Sequence, residues 1–96
     1  MRDHKIDLRE REVIRRIAER HGARNVRVFG SVARGEARPD SDLDLLVEAG
    51  PSTSPWFPGG LVVDLEEALG RRVDVVTVGG LVAGLRERIL DESVPV

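Results

Sequence analysis

The apolar positions of this 96-residue chain change their period several times along its length. Between Asp7 and Gly22, the residues Leu8, Val13, Ile14, Ile17 and Ala18 fall on one helical stripe, and Asp7 with Glu10 three residues on has the form of a capping box. The spacing predicts a helix over 7–22, with Gly22 suited to the positive φ of the residue that ends it. Val26 to Phe29 is a short run of β-formers and reads as a strand. Ser31 to Arg34 reads as one helical turn, with Ser31 able to cap it. Residues 35–41, which include Gly35, Pro39, Asp40 and Ser41, are a loop by composition. A second strand is expected over Leu43 to Glu48, followed by a turn-rich loop over 49–60 that carries two aromatics, Trp56 and Phe57. Leu61, Leu65 and Leu69 mark a helix that stops at Gly70. A third strand spans Val73 to Val78, and a closing helix spans Leu81 to Leu90 with Leu81, Leu85 and Ile89 facing inward. The order α-β-α-β-α-β-α predicts an α/β (α+β) fold. Its small mixed sheet would have three or four strands, with helices packed on one face.

Side chains alternate across a strand, so Asp42 and Asp44 share one face while Leu43, Leu45 and Val47 take the other, toward the helices. The third strand repeats this logic and puts Asp74 on the carboxylate face. The segment between the second and third strands is long enough for a helical crossover, which makes them parallel and brings Asp74 level with Asp42 and Asp44. An antiparallel first strand delivers Gly30 and Ser31 to the same end. Leu46 and Val76 share the carboxylate face, where exposure would suggest that a partner covers part of it.

Composition narrows the chemistry. Charged residues make up 33% and apolar ones 41%, which fits a folded globular domain spanning residues 1–96. A net charge of −2 argues against tight nonspecific binding of nucleic acid. With no cysteine there is no disulfide and no thiolate metal site. No apolar run approaches the ~18 residues of a membrane span and the start lacks the apolar core of a signal peptide, so a cytoplasmic location is expected.

Three carboxylates with no His or Cys beside them select a hard cation, most simply Mg²⁺, and two such ions can bridge a nucleoside triphosphate. Ser31 and the backbone N–H groups after Gly30 could hold the β- and γ-phosphates. Arg34 and Arg38 could neutralise further phosphate charge or make local ion pairs. Asp74 is placed to bind metal or to take a proton from a nucleophile. No Gly-Lys-Ser/Thr follows Gly30, so this is not a P-loop.

The succession Gly30-Ser31, Arg34-Gly35, Ser41-Asp42-Leu43-Asp44-Leu45 and a later lone Asp74 resembles the nucleotidyltransferase superfamily of DNA polymerase β. It is most similar to the minimal nucleotidyltransferases, proteins of about this size without an appended substrate domain. The resemblance implies that Gly30 and Ser31 bind the triphosphate of ATP and that Asp42, Asp44 and Asp74 carry the metals. It implies transfer of AMP with release of pyrophosphate, and a role as the antitoxin of a two-gene module. The partner would be a HEPN-type ribonuclease toxin from the adjacent gene, modified on a tyrosine, in a homo- or hetero-oligomer. This chain contains no Tyr, so a tyrosine acceptor must lie in another protein.

The alternatives are a non-catalytic antitoxin that neutralises its partner by binding alone, and a partner-dependent transferase acting on a small molecule or an RNA end. Trp56 and Phe57 admit three readings: a base-stacking platform, a partner anchor, or a loop folded over its own core. His4 and His21 read as surface residues, and Arg71 and Arg72 as solvated caps beside the third strand.

Overall fold

A computed structural model describes residues 6–38 and 41–96. His4, Pro39 and Asp40, for which expectations were stated above, lie outside the described residues. Helix α1 (Leu8–Arg20) starts from Asp7, which closes a reciprocal capping box with Glu10, and Gly22 follows it at φ 78°. Strand β1 (Ala23–Phe29) begins three residues earlier than its β-formers indicate, because a register shift between Arg24 and Arg27 lets polar residues join the ladder. Asn25 takes up the irregularity at φ 51°, a conformation Asn tolerates better than most residues. Then come the short helix α2 (Gly30–Arg34), strand β2 (Leu43–Ala49), helix α3 (Gly59–Leu69) and strand β3 (Val73–Thr77). A 3₁₀ turn (Val78–Gly80), helix α4 (Ala83–Glu92) and strand β4 (Val94–Pro95) complete the described chain.

The sheet runs β3-β2-β1-β4, with β2 and β3 parallel and both of β1's pairings antiparallel. Its registers set three rows across the strands. Val28, Leu45 and Val75 form one row on the face that packs against Ile14, Ile17, Leu61 and Leu65 of α1 and α3. Arg27, Leu46 and Val76 form the next row on the other face, and Phe29, Asp44 and Asp74 form another on that same face.

One conditional expectation is resolved here and one is corrected. Leu46 is 0% exposed, although it shares the carboxylate face. Beside it in the same row, Arg27 reaches to Ser93 at the end of α4. The chain by itself buries Leu46, so no partner is needed to hide it. The closing helix also differs. Leu81 and Val82 stay extended, so α4 starts at Ala83, and Leu85 is 43% exposed instead of facing inward. Its C-terminal end is what anchors it, through β4 and Ser93.

Candidate active site

The two ends that matter meet where β1 stops and β2 and β3 start. Phe29 lies opposite Asp44, and Asp44 lies level with Asp74, so Gly30 emerges beside the aspartates. Gly30 has φ 74°, a left-handed conformation that costs a residue with a Cβ about 1–2 kcal/mol. A Cβ at this position would also run into Asp44 Oδ2 and lie 3.1 Å from Asp44 Cγ. The backbone thus approaches the Asp44 carboxylate as closely as only glycine allows. Gly30 is itself the first residue of α2, and Phe29 occupies the position before it without a side-chain cap. Ser31 therefore sits inside the first turn and does not cap it, a correction to the expected role. Gly35 closes α2 at φ 74°.

Burial, followed by the charges of Asp74 and then Asp42, pushes the Asp44 carboxyl above the ordinary carboxylate range, while Arg34 pulls the other way. That is the mark of crowded negative charge with too little compensation. Asp42, just ahead of β2, points its Oδ1 toward Arg72 Nε at 3.7 Å, a contact between exposed groups. Among the described residues no group of three or more His, Cys, Asp or Glu side chains gathers around a common point. Asp44 and Asp74 lie level on adjacent strands, while Asp42 reaches toward Arg72. The donors are all carboxylate oxygens, and a divalent cation between them would relieve the repulsion borne by Asp44. The set fits a hard cation such as Mg²⁺.

Arg34 makes local pairs, through Nε to Glu36 at 2.9 Å and through Nη1 to Glu92 at 3.2 Å. Arg38 stands exposed in the loop, and its backbone N–H donates to Ser41 Oγ. Arg71 Nη2 donates to Ser41 O, so it braces the strand entry and is only partly solvated. Sequence reasoning missed Glu92. Its Oε2 accepts from the Gly30 N–H at 2.8 Å, and this bond, with Arg34 beside it, holds the carboxyl below the usual range.

His21 is half-buried and lies 2.7 Å from Asp64, so it ties α1 to α3 instead of standing on the surface. Phe57 packs against the core, and it lines a hollow with Glu48, Thr77 and Val78. That hollow lies four strand positions from Asp44, about 13 Å at the usual rise per residue. For Phe57 the loop folds over its own core, whereas Trp56 is 83% exposed.

Residues 10–96 match the family model described as a nucleotidyltransferase domain. The protein adenylyltransferase MntA of Thermococcus cleftensis is 44% identical over 80 residues, which is 81% of this chain and 79% of that protein. MJ0435 of Methanocaldococcus jannaschii, a candidate protein adenylyltransferase, is 43% identical over 77 residues, covering 80% of this chain and 83% of that one. Among solved structures, a candidate minimal nucleotidyltransferase superposes with a TM-score of 0.83 at 50% identity, over 92% of this chain and 90% of its own. A toxin-antitoxin structure with AMP-PNP shares the fold at a TM-score of 0.76 and 21% identity, over 88% of this chain and 70% of its own. Family match, fold and relatives agree: the chain belongs to the nucleotidyltransferases, in their minimal, MntA-like branch.

Proposed function

We propose that this nucleotidyltransferase moves AMP from ATP onto a tyrosine hydroxyl of a partner protein, a HEPN-type toxin, and so acts as its antitoxin. The observation that carries the reading is the row Phe29–Asp44–Asp74, which sets a glycine-only backbone turn against two adjacent carboxylates at one end of the sheet. The MntA name of a 44% identical relative supports adenylyl transfer to protein. Solved MntA–HepT toxin-antitoxin complexes share the fold.

In this reading the acceptor oxygen attacks the α-phosphorus of ATP, the bond from that phosphorus to the bridging oxygen breaks, and pyrophosphate leaves. Asp74 takes the proton of the acceptor hydroxyl. Ser31 and the backbone N–H groups after Gly30 hold the β- and γ-phosphates, with Arg34 and Arg38 offsetting their charge. Asp42, Asp44 and Asp74 would hold Mg²⁺, which when bound neutralises the triphosphate and the charge developing on its oxygens. The acceptor tyrosine comes from another chain, since this one contains none.

The test is incubation of the protein with α-³²P-ATP and Mg²⁺, with and without the protein encoded by the adjacent gene. Label is expected on the partner, and Asp42→Asn and Asp44→Asn should abolish it. A stable complex that acquires no label would overturn catalysis on that partner and favour neutralisation by binding alone.

A further inference from the structure

The structure assigns Glu92 as a positioning residue of the triphosphate site, the group through which the C-terminal helix fixes both the Gly30 amide and the Arg34 guanidinium. The inference rests on the reading of Gly30–Ser31 as the triphosphate turn.

Gly30 is gripped on two sides. Its α-carbon lies against the Asp44 carboxylate, and its N–H donates to Glu92 Oε2 at 2.8 Å. The same Glu92 carboxylate accepts from Arg34 Nη1 at 3.2 and 3.3 Å, while Glu36 accepts from Arg34 Nε. Glu92 thereby joins the first and last residues of α2 to α4. A helix of five residues has little intrinsic stability, so its geometry has to be imposed from outside.

Glu92 is itself fixed in place. Ser93, the next residue, is buried, and its Oγ and carbonyl accept from Arg27 at 2.6 and 3.2 Å. Val94 lies opposite Val28, and the Val96 N–H donates to Val26 O at 3.1 Å. A carboxylate anchored this way is part of the scaffold. It is poorly suited to act as a displaceable plug occupying the phosphate position. The Gly30 amide is committed to Glu92, which leaves the Ser31 hydroxyl and the amides after it as the phosphate donors. Arg34 Nη1 and Nε are held by carboxylates, so its Nη2 has a defined direction.

The experiment uses ¹⁵N-labelled protein with Glu92→Gln and Glu92→Ala. The expected result in Glu92→Ala is an upfield move of the Gly30 amide resonance and faster amide exchange across residues 30–34, with smaller changes of the same sign in Glu92→Gln and the rest of the spectrum unchanged. With ATP, Mg²⁺ and the partner, kcat should fall about 10- to 100-fold in Glu92→Ala, the range of one charge-assisted hydrogen bond. KM for ATP should stay within about threefold, because the Ser31 donors remain. Glu92→Gln keeps an acceptor for Gly30 but loses the charge facing Arg34, so its kcat should fall between the two. It also keeps the side-chain shape should Glu92→Ala misfold. An unmoved Gly30 amide or an unchanged kcat in a folded Glu92→Ala, or tighter nucleotide binding in either variant, overturns the assignment, and the last would mark Glu92 as a plug. An inactive wild type overturns the adenylyl-transfer reading instead. The Gly30 amide, with the Ser31 amide shift on MgATP titration, then still decides the role of Glu92.

Discussion

Gly30 and Gly35 form a matched pair that separates backbone strain from obstruction of the site. Both have φ 74°, so an alanine at either adopts the left-handed conformation at a cost of about 1–2 kcal/mol. In a domain of this size that corresponds to a drop in melting temperature of about 4–16 °C. The surroundings differ completely. A Cβ on Gly35 meets nothing within 4 Å, whereas a Cβ on Gly30 runs into the Asp44 carboxylate. Asp44 must rotate away or β1 and β2 must part, and β2 is buried on both sides through Leu45 and Leu46. Rotation of the carboxylate is the cheaper outcome.

Gly30→Ala should therefore lose about 10²-fold in kcat through misplacement of Asp44. Gly35→Ala should keep its activity within about fivefold, under ~1 kcal/mol of barrier. The measurements are thermal unfolding of both variants and the labelled-ATP transfer assay under conditions where both remain folded. Equal transfer rates in the two variants would refute the reasoning, because strain alone would then account for all that the substitutions do.

Other consequences can be checked with the same tools. Asp44 is a carboxylate that burial and two neighbouring aspartates disfavour in its charged form, so Asp44→Asn should abolish transfer while raising the melting temperature of the metal-free protein at neutral pH. A raised folded-state pKa means the native protein holds the proton more tightly than the unfolded chain. The stability due to Asp44 is therefore complete below the ordinary carboxylate range and is lost as pH rises through its folded value. Mg²⁺ should restore that stability at neutral pH and have little effect at low pH, as read by unfolding at several pH values; an equal Mg²⁺ response at all pH values would count against a carboxylate site. Glu92 has the opposite sign, since its depressed pKa contributes stability above the ordinary range that is lost as pH falls through its folded value. Leu46→Ala should destabilise by about 2–5 kcal/mol in the free protein, because the chain itself buries Leu46; a cost appearing only in a complex would contradict that burial. Trp56→Ala should leave stability within ~0.5 kcal/mol, and the solvated fluorescence of the single Trp should respond to the partner only if the 49–60 loop forms part of that interface.

What could be read from the chain alone was whatever depends on neighbours in sequence. The Asp7–Glu10 box, the leucines of α3 and the alternation about Leu43 and Leu45 are local patterns, and each formed the expected element. The level placement of Asp44 and Asp74 was also legible, because a helical crossover between two strands forces the parallel register that produces it. Carboxylate alternation then fixed the face.

Several features that the sequence leaves open depend on the folded chain. Leu46 shares its strand face with aspartates, and only the folded chain shows that it is buried, beside an Arg27 that reaches to Ser93. Leu85 looked buried because its spacing from Leu81 and Ile89 is helical, yet Leu81 lies outside the helix and α4 is held by its end and not by an apolar stripe. Glu92 carried no signal at all. In the sequence it is one more acid near the end of a helix, 62 residues from the amide it accepts. Its partner is a backbone N–H, which has no residue type to betray it. A motif of side chains states which groups do the chemistry, while the groups that hold the backbone of that motif can be found only once the fold has brought them there.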